Sequence, residues 1–147
     1  MKLKELFNAI NPYENKLYKP FVIAEAGVNH EGSMKVAKRL CDEALKGGAD
    51  AIKFQTYKAN TLASKDSPAY WDTTKEPTMS QHKLFTKHDS FWKDEMQELK
   101  NYCDEIGIEF MSTPFDIASA DYLYDLMEVY KISSSDITNK PFIEYIC

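Results

Sequence analysis

Short apolar runs alternate with stripes of apolar residues at helical spacing along most of the chain. The stretch ADAIKFQTYKA, at Ala49–Ala59, predicts a strand that ends at Thr56. Side chains two apart on a strand share a face, so Lys53 and Gln55 point the same way. Burying these two polar groups without partners costs free energy. Two interpretations follow: an edge strand with a solvated face, or a polar site in which Lys53 faces an anion.

The same patterns predict four strands, each followed by a helix or a long loop. The predicted strands are Phe21–Glu25, Ala51–Thr56, Ile108–Ser112 and Val129–Ile132. The predicted helices are Leu3–Ile10, Met34–Lys46 after a Ser33 cap, a helix capped by Ser90 that reaches Ile106, Ile117–Leu126 after Asp116, and one that includes Pro141 in its first turn. Residues 57–89 break the alternation, with a short helix expected around Ser80–Phe85. Strict alternation of strands and helices indicates an α/β fold with a parallel sheet.

Two α/β architectures fit this order of elements: an open doubly wound sheet, or about the first four βα units of a (β/α)8 barrel. No GxGxxG fingerprint follows the first strand, which argues against a dinucleotide-binding fold. A complete barrel takes roughly 250 residues, and this chain has 147. We therefore expect an N-terminal extension over residues 1–19, broken at Pro12 and Pro20, and half of a truncated barrel over residues 20–147.

The composition limits the classes of function that the chain can have. The chain has 18 basic and 23 acidic residues and a formal charge of −5, which argues against binding nucleic acid or an anionic membrane surface. No apolar run is long enough to span a bilayer, and the N-terminal residues lack a signal-peptide core, so we expect a cytoplasmic protein. The three cysteines have neither disulfide-framework nor metal-knuckle spacing, and buried thiols are expected at Cys41 and Cys103.

Polar residues follow each predicted strand, at the end where ligands bind in both architectures. These residues are Glu25, Lys53 with Gln55, Thr113, and Lys131 followed by Ser133–Ser135 and Asp136. Two lysines with nearby hydroxyl groups indicate a phosphate or carboxylate site. The alternatives are a structural ion pair between Glu25 and Lys53, and a serine turn that only starts the next helix. Lys58, His82 and His88 are expected to be solvated.

Four motifs, in this order, resemble the N-acetylneuraminate (sialic acid) synthase family: IAEAGVNHEG, GADAIKFQTYKA, MSTPFD and YKISSSDITNKPFIEYI. The resemblance implies a (β/α)8 barrel that condenses phosphoenolpyruvate with an N-acyl amino sugar such as N-acetylmannosamine. The products would be a nine-carbon sialic-type acid and phosphate. It further implies a homodimer with an antifreeze-like C-terminal domain, and a divalent metal, Mn or Mg, whose ligands lie outside this chain.

The resemblance also assigns roles to the polar residues. Lys53, Lys131 and Ser134 would hold the phosphate and carboxylate of phosphoenolpyruvate, and Gln55 and Thr113 would line the same pocket. Glu25 and Asp136 would contact the sugar or the reacting centre. Ser133-Ser134-Ser135-Asp136 departs from the Gly-Ser-Gly-Glu of some family members. His30 matches a motif position but is not expected to bind metal. Alternatives are a non-catalytic fragment that binds an anion or a partner half, and a synthase for legionaminic acid, pseudaminic acid or sialic acid 9-phosphate.

Overall fold

The computed structural model describes residues 1–11 and 13–147, so the break expected at Pro12 lies outside the described residues. The strands are β1 (Ile23–Gly27), β2 (Ala51–Thr56) and β3 (Glu109–Pro114). The helices are α1 (Leu3–Ala9), α2 (Met34–Lys46), α3 (Ala59–Leu62), α4 (Gln81–His88), α5 (Lys93–Ile106), α6 (Ile117–Tyr124) and α7 (Lys140–Ile146), and a 3-10 turn covers Ser134–Asp136. No helix of the described part is both long and apolar enough to cross a bilayer.

The three strands form one parallel sheet in the order β1-β2-β3, which confirms the predicted α/β class. Lys53, on the central strand, is paired through its Cα with Glu25 on one side and Met111 on the other. Gln55 is paired with Thr113 in the same way. The register therefore gathers the polar residues of the three strands at one end of the sheet.

The helix ends show how local sequence sets the elements. Ser33 caps α2, its side chain accepting the N–H of Val36 at 3.4 Å. The predicted Ser90 cap of the long helix is wrong. Trp92 takes that position, and its N–H donates to the Glu95 carboxylate at 2.9 Å. A carboxylate at the third helical position can accept the backbone N–H of the cap residue. Because Glu95 does this for Trp92, the helix begins at Lys93 rather than directly after Ser90.

One face of the sheet is covered by α2, α5 and α6 and forms the main core. The sheet contributes Ile52, Phe54 and Phe110, all nearly inaccessible to solvent. The helices contribute Ala37, Cys41, Met96, Leu99, Cys103 and Leu123. These strand residues alternate with Lys53 and Gln55, so the candidate site residues lie on the opposite face of the sheet.

The opposite face is covered at its amino end by α1. Leu3 and Leu6 pack against Ala51 and Met111 in a second apolar cluster. The N–H of Leu3 also donates to the Glu109 carboxylate at 2.8 Å. The apolar cover ends where Lys53 begins, which divides this face into an apolar amino end and a polar carboxyl end.

Several predictions about element bounds need correction. β1 covers Ile23–Gly27 rather than Phe21–Glu25, and β3 covers Glu109–Pro114 rather than Ile108–Ser112. Val129–Ile132 forms no strand in the described structure: the segment makes no backbone ladder with β3, Lys131 is exposed, and the other three residues are only half-buried. The helix after Asp116 ends at Tyr124 rather than Leu126. The predicted loop at 57–89 contains both α3 and α4, and the short helix expected within it is confirmed and extends to His88.

Candidate active site

Lys53 is the centre of the polar end of the sheet. Its ammonium forms an ion pair with the Glu25 carboxylate and donates to Thr113 Oγ1 at 3.1 Å. The Lys53 side chain is 12% exposed, whereas that of Glu25 is 51% exposed. The structural ion pair that the sequence left open as an alternative is therefore formed, and its lysine is the buried member.

A bulge in β1 lets Glu25 and Gln55 approach this point together. The β1–β2 register shifts between Glu25 and Gly27, and Gly27 has φ +55°. A Cβ atom at Gly27 would lie 3.3 Å from Glu25 Oε1 and 3.5 Å from Gln55 Nε2. Glycine is favoured here both by the positive φ and by the close approach of the two polar side chains.

The donors and acceptors define what this site can hold. A lysine ammonium has three N–H donors and no acceptor. Among the described residues its recorded acceptors are Glu25 and Thr113, so one N–H remains for a ligand. The Gln55 amide adds a donor and an acceptor nearby. The site therefore suits an anionic or carbonyl oxygen, which would share the lysine with Glu25.

The residues after β2 anchor the 57–89 segment to the end of the sheet. Tyr57 is buried, with its ring edge-on to Phe85 of α4 and to Phe115. Burial, with a smaller contribution from Asp89, raises the pKa of Tyr57 to about 12, so its hydroxyl stays protonated. Lys58 was expected to be solvated, but it is half-buried, donates to the Asp89 carbonyl and lies 5.3 Å from the Trp92 ring centroid. The start and the end of the 57–89 segment are therefore packed together beside the end of the sheet.

The burial of His30 was not predicted from the sequence. It is 1% exposed, its Nδ1 accepts the N–H of Gly32 at 3.1 Å, and its ring stacks on Phe91 with centroids 3.9 Å apart. Burial, followed by the nearby His88, lowers the pKa of His30 to about 4. His88 was expected to be solvated, yet its Nδ1 is buried. The polar sequence Asn29-His30-Glu31-Gly32 does not indicate a buried imidazole.

Lys131, Ser134 and Asp136 lie apart from this cluster in their contacts. Lys131 is exposed and donates to the neighbouring carbonyl of Ile132. Asp136 accepts from Asn139 at 3.2 Å, within the turn that precedes α7. Within residues 1–11 and 13–147, none of the three makes a recorded hydrogen bond or ion pair with Lys53. Their roles in binding substrate remain predictions.

Ser112 shows why strand parity matters at this end of the sheet. Its hydroxyl lies 2.7 Å from that of Thr56, and both are fully buried on the helix-covered side. Thr113, one residue later, reaches Lys53 on the other side. The hydroxyl groups of Ser112 and Thr56 therefore belong to the core. Thr113 belongs to the site.

The described residues do not assemble a metal centre. No group of three His, Cys, Asp or Glu side chains among them is placed to hold an ion. Glu25, the carboxylate of the site, is already paired with a lysine ammonium, which disfavours a cation beside it. The divalent metal implied by the resemblance therefore has no ligand set in this part of the chain.

Comparison with known proteins identifies the family. The NeuB family model matches residues 40–147, and the chain belongs to that family. It is 41% identical over 127 residues to an N,N'-diacetyllegionaminic acid synthase of Legionella pneumophila, an alignment that covers 85% of this chain and 36% of the relative. It is 34% identical over 128 residues to a human N-acetylneuraminate-9-phosphate synthase, covering 84% of this chain and 35% of the relative.

A solved structure shows the same fold. The N-acetylneuraminic acid (sialic acid) synthetase of Leptospira borgpetersenii, crystallised with citrate, superposes with a TM-score of 0.73 at 34% identity. The match covers 87% of this chain and 41% of that one. The chain thus spans little more than a third of the length of the curated relatives it matches.

Proposed function

We propose that the protein containing this chain condenses phosphoenolpyruvate with an N-acyl amino sugar, forming a nine-carbon sialic-type acid and inorganic phosphate. The chain would supply the first part of a (β/α)8 barrel, with βα units built on β1, β2 and β3. The observation that carries the proposal is the largely buried Lys53 ammonium at the carboxyl end of a parallel sheet, with one N–H left for an anion. Membership of the NeuB family and the names of the relatives support the same chemistry.

In the proposed reaction, C3 of phosphoenolpyruvate attacks the aldehyde of the open-chain sugar, forming a carbon–carbon bond. Water then adds at C2, and phosphate leaves with cleavage of the C–O bond. Lys53 would neutralise the phosphate or carboxylate throughout, and Gln55 and Thr113 would fix its orientation. Positioning and charge neutralisation are the contributions that these side chains can make.

Glu25 would have two roles in turn. In the structure its carboxylate pairs with Lys53 and compensates the charge of the largely buried ammonium. Binding of an anion would displace it from the lysine. Because its side chain is half-exposed, Glu25 can rotate towards solvent at little cost and accept a hydrogen bond from the sugar.

The relatives guide the choice of sugar. The Legionella protein, at 41% identity, is named for an N,N'-diacetylated acid, and the human protein, at 34%, for a 9-phosphate. An unphosphorylated N-acyl or di-N-acyl amino sugar is therefore the first substrate to test. The 6-phosphorylated sugar is the matched competitor.

Titration calorimetry with phosphoenolpyruvate tests the half-site in this 147-residue chain. We expect saturable binding that is lost in Lys53→Met, which keeps the aliphatic stem and removes the charge. Lys46→Met is the matched control, since the Lys46 side chain is 79% exposed on α2. Absence of binding in a folded chain, or equal binding by Lys53→Met, would contradict the assignment of Lys53. Activity is tested in the complete protein by phosphate release that requires both substrates.

A further inference from the structure

Two of the three cysteines meet inside the helical layer. Cys41 of α2 and Cys103 of α5 are both 0% exposed, and their sulfur atoms lie 3.7 Å apart. All three cysteines are free thiols, and Cys147 is exposed. The two buried thiols are separated by 61 residues in sequence, so only the packing of α2 on α5 brings them together.

We propose that Cys41 and Cys103 are a redox modification site, which a peroxide converts into a reversible intramolecular disulfide. A disulfide bond is about 2.05 Å long, so the sulfur atoms must approach by about 1.7 Å. Their present separation of 3.7 Å is that of a direct S–H···S contact. Closing the remaining distance would require rotation of the two side chains and a small approach of the packed helices α2 and α5.

The thiol pair is polarised, which gives the chemistry a direction. Either thiol can donate in the S–H···S contact between Cys41 and Cys103, and this contact lowers the pKa of Cys41. The same contact, with burial, raises the pKa of Cys103. The thiolate is the nucleophilic form of cysteine, so Cys41 is the sulfur that reacts first and Cys103 resolves the product.

The electrons and atoms balance with peroxide as the sole oxidant. The Cys41 thiolate attacks a peroxide oxygen, forming an S–O bond while the O–O bond breaks and hydroxide leaves as water. Cys103 then attacks the Cys41 sulfenic acid, forming the S–S bond and releasing a second water. The two thiols lose two electrons and peroxide gains them. Because both thiols are fully buried, the reaction requires a local opening of the helical layer, and a small peroxide needs a smaller opening than a bulky oxidant such as glutathione disulfide.

The cross-link would act on a large part of the chain. The ring that it closes contains β2, with Lys53, and the whole 57–89 segment. Closing a loop of this size restricts the unfolded chain, and a rise in Tm on the order of 10 °C follows. Because the bond lies on the helix-covered face, the arrangement around Lys53 should be unchanged.

The test is peroxide treatment of the Cys147→Ser protein, which removes the exposed thiol and keeps both buried ones native. After treatment the protein is unfolded and alkylated, then weighed by intact-mass spectrometry. We expect loss of two hydrogens, no alkylation at either buried cysteine, one cross-linked peptide pair, and reversal by dithiothreitol. The Tm of the oxidised protein should exceed that of the reduced protein.

Single variants separate the disulfide from overoxidation. In Cys103→Ser, oxidation at Cys41 should add oxygen instead of removing hydrogens. Both thiols remaining fully alkylatable, at peroxide doses that oxidise Cys147 in the wild-type chain, would overturn the proposal. So would overoxidation of Cys41 without a cross-link in the Cys147→Ser protein. Neither measurement depends on the single variants folding, since both use proteins with Cys41 and Cys103 intact.

Discussion

Acid should destabilise this protein through one buried imidazole. The ordinary pKa of 6.5 for His30 falls to about 4 in the folded protein, because burial removes water from the ring and His88 lies nearby. A depressed folded-state pKa means that the unfolded chain binds more protons than the folded one between these two values. Stability is therefore fully present above pH 6.5 and decreases as the pH falls towards 4.

The size of the effect follows from the two pKa values. Each pKa unit corresponds to about 1.4 kcal/mol, so the whole window between them is worth about 3 kcal/mol. Most of this change falls within an accessible range, and lowering the pH from 7 to 5 should remove about 2 kcal/mol. For a domain of this size, with a free energy of unfolding of about 5–15 kcal/mol, that loss is readily measured.

The assay is urea unfolding at pH 7 and pH 5 for the wild type and His30→Asn. Asparagine supplies an acceptor for the Gly32 N–H but does not titrate. The variant will be less stable overall, since it loses the stacking on Phe91. The informative quantity is the difference between the two pH values, which should be about 2 kcal/mol smaller in the variant than in the wild type.

His82→Asn is the matched control, because His82 is hydrogen-bonded to Asn60 at the surface, at 2.8 Å. It should keep the pH dependence of the wild type. Equal losses in His30→Asn and the wild type would refute the reasoning and move the acid sensitivity to other groups. An NMR titration of the His30 ring in the wild type checks the depressed pKa directly.

Two further predictions concern the sheet face that carries Lys53, one at its apolar amino end and one at its polar carboxyl end. Leu6→Ala should lower the free energy of unfolding by about 2–3 kcal/mol, because Leu6 is 7% exposed against Ala51; Phe7→Ala, at a 58% exposed position, should change it by about 0.5 kcal/mol or less. Calorimetric melting compares the pair, and equal losses would contradict the packing of α1. Gly27→Ala should cost about 1–2 kcal/mol for its positive φ and also weaken phosphoenolpyruvate binding, whereas Gly48→Ala, with φ +83° and open space, should cost only stability. Unchanged binding by Gly27→Ala would refute the crowding of Glu25 and Gln55.

Residues within one strand were predictable from sequence because the strand period fixes their faces. Alternation alone placed Lys53 and Gln55 on one face, and the order of elements placed Glu25 at the neighbouring strand end. The ion pair between Glu25 and Lys53 then follows from parallel register. Each of these steps depends only on alternation within a strand and on the pairing of adjacent strands, and both can be predicted from the sequence.

Residues whose surroundings come from distant segments were not predictable in this way. His30 is enclosed by Phe91, which is 61 positions away in sequence. Tyr57 is enclosed by Phe85 and by Phe115. No local pattern encodes such contacts, because they depend on how the 57–89 segment packs. The strand predicted at Val129–Ile132 failed for a related reason: an apolar run becomes a strand only when it pairs with a neighbouring strand, and the local sequence does not show whether it pairs.

The site depends on a register in which every second residue at the sheet end is polar. Lys53 faces Thr113, and its neighbour Phe54 lies in the core on the other side. A slip of one residue between β2 and β3 would bury the lysine among the helices and expose the phenylalanine. The slip is opposed from both faces, by the Phe54 side of the core and by α1 on Ala51. Stability and site geometry are therefore set by the same alternation, and apolar packing fixes the position of the buried charge.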